Sequence, residues 1–574
     1  MNSSKKNLYR SIDGSNNNLN NTNLGRAGEN LSRQAPAAYN DGISAPANPD
    51  LPNARFISNA LSNQTESIPD QRNLSDYVWA WGQFMDHDIV ENVRQQGQES
   101  QSIYADFSGG SLVVVPPPPL TPLPPLIGQK IVEVESIDIA IPEGDPIYQP
   151  GSVIPVTRSV FNPSTGTDPS NPRQQTNNAT AWLDASMIYG SDEQRASWLR
   201  TFEQGELKVS SHETGDLLPI RGNDFTAPDM DTLGRDSQIF VAGDARANEN
   251  VALTSLHTVF VREHNRLAEL IDTTHTDLPS DPAERDEEIY QRARKLVGAE
   301  IQAITYNEFL PALGVTLDPY TGYDSSVDAS VTNEFTTIGF RGMGHSQNDE
   351  TIPRLEEDGS SIEAGPIDLA QAFFNPSAIT EAGGIEPILR GLGTEVQEAT
   401  DLKVVDSLRN LLFVGAPSDG PVANGTDLVA LDIQRGREHG LSTYNDTREA
   451  YGLERVANFE QITSNSEVAE TLETLYGSVE RIDPIIGMLA EDRLAGASIG
   501  ELNEAILADQ FESLRDGDRF WHQNDPDLAS WDAPQLGSSG TALDWVSELS
   551  LTDIIELNAD INTLPENAFF ASDL

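Results

Sequence analysis

Four short stretches of this chain hold side chains suited to proton and metal chemistry. The densest is Trp81-Gly82-Gln83-Phe84-Met85-Asp86-His87-Asp88, with an amide, two carboxylates and an imidazole inside eight residues. At 3.6 residues per turn, Gln83 and His87 share a helix face, Asp86 stands beside them and Asp88 is rotated well away, so one turn can serve two sites. His87 suits general base followed by general acid work on a bound peroxide. The second stretch, Phe240-Val241-Ala242-Gly243-Asp244-Ala245-Arg246-Ala247-Asn248-Glu249, sets Arg246 and Glu249 three residues apart at a helix start. A fixed guanidinium there can stabilise charge developing as an oxygen–oxygen bond breaks.

The third stretch is Phe340-Arg341-Gly342-Met343-Gly344-His345, whose glycines let backbone approach a flat ligand and present His345 as an axial iron ligand. The fourth runs from Ala430 to Gly440 and carries Asp432, an acceptor for the far nitrogen of a ligating histidine. Such a partner fixes the tautomer and makes the ligand more basic. Any of the eight histidines taken alone reads as structural. The joint pattern is what a peroxide-activating haem needs.

Helices must carry these groups. From Asn73 an apolar stripe of Tyr77, Trp81 and Phe84 or Met85 predicts the first. Asn250, a cap residue, precedes a helical repeat through Val251, Leu253, Leu256, Val259, Phe260, Leu267 and Leu270. Another helix is expected from Asp286 to Leu313, stopped by Gly314. Segments near Leu402–Leu412, Gln434–Tyr451, Ser464–Tyr476 and Ile499–Asp516 also favour helix. With few strands and no repeat, the fold class is mainly α: one large helical domain over residues 61–574, with long irregular loops. Residues 1–60 read as an extended arm packed on that body, and residues 105–175 as an irregular excursion stiffened by the prolines between Pro116 and Pro125.

Charge and composition narrow the partners. Lys and Arg number 36 against 90 Asp and Glu, and a net charge of −54 repels nucleic acid and anionic lipid. No cysteine is present, which excludes disulfides and thiolate chemistry. Residues Met1–Asn7 lead into no apolar segment, so neither a signal peptide nor a membrane anchor is read there, and no apolar run is long enough to span a bilayer.

These motifs resemble the animal-type haem peroxidases of the peroxidase–cyclooxygenase superfamily. The resemblance runs from Arg10-Ser11-Ile12-Asp13-Gly14-Ser15 to about His439 and includes Ala242-Gly243-Asp244-Ala245-Arg246, Leu253-Thr254-Ser255-Leu256-His257-Thr258 and Arg262-Glu263-His264-Asn265-Arg266-Leu267. It implies a haem b cofactor, with His87 as distal histidine, Gln83 near it, Arg246 as distal arginine and His345 as iron ligand. Asp86 and Glu249 match carboxylates that form ester links to haem methyls. Arg435 matches an arginine that contacts a haem propionate, and Arg341 is a second candidate, one residue further from the histidine than usual. The resemblance also implies calcium held by Thr180, Trp182, Asp184 and Ser186 with Asp88. Oxygens from alternate loop residues suit a hard cation that takes six to eight ligands. The expected substrates are hydrogen peroxide and small anionic or aromatic donors, handled by a monomer that acts outside the cell, as most relatives do, after leaderless export or loss of a leader, with the cytoplasm as the alternative.

Three positions depart from the family. Asn250 stands where some members carry a methionine bonded to a haem vinyl, which leaves bromide, iodide and thiocyanate as expected donors rather than chloride. Asp432 replaces an asparagine. Gly342 stands where the fatty-acid dioxygenases of the superfamily carry their radical tyrosine, and no tyrosine lies between Thr336 and His345, which counts against that activity. A catalytically silent adhesion or matrix role is the other alternative. His257, His264 and His439 read as structural residues, and His212, His275 and His522 as surface positions.

Overall fold

The computed structural model describes residues 8–95, 135–231, 238–412, 426–532 and 540–572. The proline cluster between Pro116 and Pro125 lies outside them. Helices dominate: α1 (Ala54–Leu61), α2 (Tyr77–Ile89), α3 (Ser186–Tyr189), α4 (Glu193–Leu199), α5 (Val251–Thr274), α6 (Pro282–Ile304), α7 (Leu310–Leu313) and α8 (Arg341–Ser346), followed by Leu428–Glu438 and further helices to residue 558. Strands among the described residues are confined to two antiparallel pairs, Ile139–Ala140 with Val153–Ile154 and Thr351–Ile352 with Ile367–Asp368. No helix among these residues is long and apolar enough to cross a membrane.

Local chemistry sets the helix ends. The side chain of Asn250 accepts from Leu253 N at 2.9 Å and caps α5. Asp281 caps α6, with Pro282 in the first turn where its missing N–H costs nothing. The expected helix to Leu313 is interrupted by a π turn at Thr305–Phe309 before α7, and Gly314 ends it at φ +89°, where an added Cβ would meet Ala497 at 2.5 Å.

Two helical expectations are corrected. Leu402–Leu412 holds only a π turn at Ser407–Leu411. There Asp401 Oδ1 accepts from Lys403 N and Val404 pairs with Asn63, so tertiary bridging overrides propensity. Gln434–Tyr451 is two helices, Leu428–Glu438 and Tyr444–Ala450, parted at Gly440 with φ +66°. The polar stretch before residue 60 also contains α1, whose Ile57 and Leu61 are buried.

An aromatic core joins the helices that carry the chemistry. On α2, Trp81 and Phe84 pack against Phe260 of α5, with Phe84 and Phe260 stacked at 5.3 Å. Phe340, at the start of α8, stacks on Phe335 at 5.0 Å and meets Phe309 edge-on. Gly82 turns its bare face to Phe309 and Phe340, so α2 approaches the α8 segment closely. Each such ring pair contributes about 0.5–1.5 kcal/mol beyond its buried area. The arm before α1 packs on this body: Asn17 donates to Asp518 Oδ1 at 2.8 Å, and Gly14 O accepts from Trp182 Nε1 at 3.0 Å.

Candidate active site

α2 and the turn before α5 bring the first two motifs together. Gln83 Nε2 donates to Glu249 Oε2 at 2.8 Å, and Gln83 Oε1 accepts from Asn250 at 2.7 Å. Arg246 Nη1 lies 3.3 Å from Asp86 Oδ2, and its Nη2 donates to Val90 O at 2.6 Å. His87 is buried, with Nε2 3.8 Å from Glu249 and Nδ1 3.6 Å from Asp244 Oδ1. Burial, with the charge of Arg246 added, holds the His87 pKa well below its usual value, so the ring is neutral and able to accept a proton.

Asp244, which the sequence reading quoted without assigning a task, organises this corner. Its carboxylate accepts from Arg246 Nε at 2.9 Å, Nη2 at 2.8 Å and the backbone N at 2.7 Å. Burial pushes its pKa up, but the charge and hydrogen bonds of Arg246 outweigh burial and hold the group well below the usual carboxylate range. Its place two residues before Arg246 was the available signal.

Across from α2, His345 Nδ1 donates to Asp432 Oδ2 at 2.7 Å. Asp432 sits on the helix Leu428–Glu438, which packs on α8. An added Cβ at Gly344 would meet nothing within 4 Å, so the segment faces open space. Asp86 ties the two halves: burial raises its pKa, opposed by the charges of Arg341 and Arg246, with His345 also within electrostatic reach. Its Oδ1 is buried with no protein partner. Burial likewise raises Glu249. Arg435 Nη1 is held by Thr157 O, Ser159 Oγ and Glu438 Oε2 at 2.9–3.1 Å.

Arg94 went unmarked in the sequence, where no spacing signals it. Its backbone bridges to Ser159, the residue whose hydroxyl holds Arg435. Crowding by protein, then by Arg435 and Arg341, lowers its pKa, although its outer face is exposed. Arg94 thus lies within electrostatic reach of Arg341 and Arg435, an arginine collar that also meets the carboxyls of Glu249 and Asp231.

The oxygens of the loop Thr180–Ser186 converge beside α2. Thr180 Oγ1 donates to Asp184 Oδ1 at 3.0 Å and lies 3.5 Å from Trp182 O, while Ser186 Oγ donates to Asp88 O at 2.7 Å. The Asp88 carboxylate accepts the backbone amides of Asp184, Ala185 and Ser186. Asp88 and Asp184 are both buried, burial raises both pKa values, and Asp184 Oδ2 has no hydrogen-bond partner. Among the described residues no three His, Asp or Glu side chains cluster as a metal site, so this loop offers two carboxylates with hydroxyl and carbonyl oxygens.

The remaining histidines divide differently from expectation. His257, His264 and His439 are buried and hydrogen-bonded as expected. His522 is no surface residue: it is 2% exposed, lies 3.3 Å from Gln302 Oε1, and burial lowers its pKa to about 3. Trp521, beside it in sequence and packed on Tyr306, draws that segment into the core. His212 and His275 are partly buried.

The family model described as animal haem peroxidase matches residues 9–569. Peroxinectin A of Dictyostelium discoideum is 31% identical over 82% of this chain and 80% of its own length. Lactoperoxidase of Mesocricetus auratus is 33% identical over 98% of this chain and 77% of its own. Among solved structures, Peroxidase A from Dictyostelium discoideum superposes with a TM-score of 0.80 at 28% identity, covering 98% of this chain and 99% of that one. A fatty acid alpha-dioxygenase of Arabidopsis thaliana shares the fold, with a TM-score of 0.73 at 19% identity.

Proposed function

From the chain's membership of the animal haem peroxidase family, which makes it a haem peroxidase, we propose that His87, Arg246 and Gln83 handle hydrogen peroxide while His345, oriented by Asp432, holds the iron. One observation carries the reading. Neutral His87 stands beside Arg246, which Asp244 fixes, while His345 has one nitrogen committed to Asp432, and Asp86 on α2 lies within electrostatic reach of both Arg246 and His345.

The residues present fit a haem. His345 has its Nδ1 engaged, which leaves Nε2 for a metal, and Gly344 keeps side chains out of the adjoining space. Asp86 Oδ1, buried and unpartnered, and Glu249, raised by burial, suit ester links to ring methyls. Arg435 and Arg341 suit the propionates. When bound, the haem would supply redox-active iron for the two-electron reduction of hydrogen peroxide.

The protein's share is proton handling and charge. Neutral His87 takes the proton of the bound peroxide and returns it to the departing oxygen, which leaves as water. Arg246, clamped by Asp244, keeps a positive charge beside that departing oxygen. Gln83, fixed at both ends of its amide by Glu249 and Asn250, orients the peroxide and its water. Asp432 keeps His345 in one tautomer and enriches it in electron density.

For donors, the arginine collar favours small anions, and bromide, iodide and thiocyanate match an active site in which Asn250 offers no sulfur for a vinyl bond. Small aromatic donors complete the set. Calcium is assigned to Asp88, Thr180, Trp182, Asp184 and Ser186, where the buried carboxylates of Asp88 and Asp184, the latter 3.9 Å from Arg294, stand beside hydroxyl and carbonyl oxygens. Because Asp88 follows His87 directly, the ion would hold α2 in place.

The reading is tested by absorption spectra of hemin-reconstituted protein before and after peroxide. His345→Ala should lose or strongly shift the Soret band, while His87→Ala keeps the band and slows peroxide reduction. Two mutants with the same spectra and the same rates refute the assignment.

A further inference from the structure

Tyr189 ends α3 and is fully buried, and its phenol donates to His264 Nδ1 at 2.8 Å. The direction of that bond is fixed from the far side: His264 Nε2 donates to Gly205 O at 2.9 Å, so Nδ1 is the acceptor. Gly205 sits at φ +77°, and a Cβ there would strike Ile289 and the backbone of Tyr290 at 2.6–2.7 Å, so its carbonyl is held rigidly against the imidazole. Tyr290 meets both rings edge-on, Tyr189 at 5.9 Å and His264 at 5.5 Å. Arg294 lies 5.6 Å from the Tyr189 ring, and the carboxyls of Glu300 and Glu263 are within electrostatic reach.

The pair adjoins the peroxide-handling corner. α3 starts where Ser186 meets Asp88, the neighbour of His87, and the carbonyl of Met187, two residues before Tyr189, accepts from the backbone N of Asp244 at 3.0 Å. Asp244 in turn grips Arg246. The radical tyrosine of the dioxygenases has no counterpart here, since Gly342 stands at its position. A hole that leaves the haem needs another resting place.

We propose that Tyr189 and His264 form an internal redox couple that accepts one oxidising equivalent from the peroxide-oxidised haem when no donor is at hand. In the step, one electron passes from the phenol ring to the haem, the O–H bond of Tyr189 breaks, and its proton moves to His264 Nδ1, giving a neutral tyrosyl radical and an imidazolium. An arriving donor returns the electron, and the proton goes back to the phenol oxygen. Burial keeps the phenol protonated in the resting enzyme, so it cannot ionise to solvent and the hydrogen bond is its only proton exit. Burial also keeps His264 neutral, with a pKa of about 4, yet an oxidised phenol is a far stronger acid than that imidazolium. Tyr290, whose buried hydroxyl has no partner, lacks such an exit and is the poorer resting place. The couple requires peroxidase activity but no particular donor.

The test is rapid-freeze electron paramagnetic resonance of the haem-loaded protein mixed with excess peroxide without donor. Wild type should show a tyrosyl signal, and Tyr189→Phe should lose most of it while keeping its Soret band and its first reaction with peroxide. The same variant should bleach its haem severalfold faster under repeated peroxide. His264→Gln, which leaves the phenol but removes the base, should also diminish the signal and serves if Tyr189→Phe does not fold. A wild type without tyrosyl signal, or variants whose signal is unchanged in amplitude, overturns the proposal.

Discussion

Asp244 grips Arg246 with both carboxylate oxygens, Oδ1 on Nε at 2.9 Å and Oδ2 on Nη2 at 2.8 Å, and keeps Oδ1 3.6 Å from His87 Nδ1. One carboxylate thus fixes the arginine and faces His87 Nδ1, a buried nitrogen with no hydrogen-bond partner of its own. Asp244→Asn should bind hemin normally but react with peroxide at least about 100-fold more slowly, the range expected for losing oriented acid–base catalysis. Stopped-flow rates within threefold of wild type would remove Asp244 from the mechanism.

Asp432 gives His345 a carboxylate acceptor, where the resemblance implies an amide. The added imidazolate character stabilises ferric over ferrous iron. Asp432→Asn should therefore raise the ferric/ferrous potential, with the iron still ligated by histidine. An unchanged midpoint in a potentiometric titration contradicts this.

Arg94, on the exposed rim beside Arg435, should matter for anions alone. Arg94→Gln is expected to raise KM for iodide and thiocyanate severalfold, most at low ionic strength, and to leave KM for a neutral phenol unchanged. Equal effects on both donor classes mean that the side chain supports the pocket rather than drawing anions to it.

Removal of calcium should act on α2 through Asp88. Prolonged chelation is expected to slow peroxide reduction and lower the melting temperature, and added calcium should restore both. Asp88→Asn protein should be impaired from the start and gain little from calcium. If chelation leaves rate and melting temperature as they were, the Thr180–Ser186 loop is a structural turn only.

His257 is buried, donates Nδ1 to Leu253 O at 2.9 Å, and burial lowers its pKa to about 4. Unfolded, the same ring takes a proton near pH 6.5. Between these values the unfolded chain binds more protons, so this residue's contribution to stability is present above about pH 6.5 and is lost as pH falls toward 4. The full loss is roughly 3 kcal/mol at about 1.36 kcal/mol per unit. His257→Asn should flatten the slope of unfolding free energy against pH in that window by up to one proton relative to wild type. Comparing the two proteins cancels the opposite trend of buried carboxyls such as Glu308, raised to about 7. Parallel slopes would show that His257 does not stay neutral in the fold.

The helices and several contacts of the candidate site were legible because their signals are local. A stripe of Tyr77, Trp81 and Phe84, an asparagine cap at Asn250 and a stop at Gly314 each act within a few residues, and all three recur in the fold. The His345–Asp432 hydrogen bond was legible from the chemistry a ligating histidine needs, although 87 residues separate its partners. What escaped was set by distant packing. Arg94 comes near Arg435 through its backbone bridge to Ser159, which holds Arg435. His522 is buried by Gln302, 220 residues away. The segment at Leu402 gives up its helical preference to pair with the end of α1.

Asn250 carries two duties at once, its carbonyl oxygen capping α5 and its amide nitrogen steadying Gln83. A methionine engineered there to gain the missing vinyl bond would strip the cap, at about 1 kcal/mol, and set Gln83 loose above the ring. The chemistry available to this enzyme is therefore bounded by a joint in its scaffold. Refitting this corner of the site would demand rebuilding that joint, not merely exchanging one side chain.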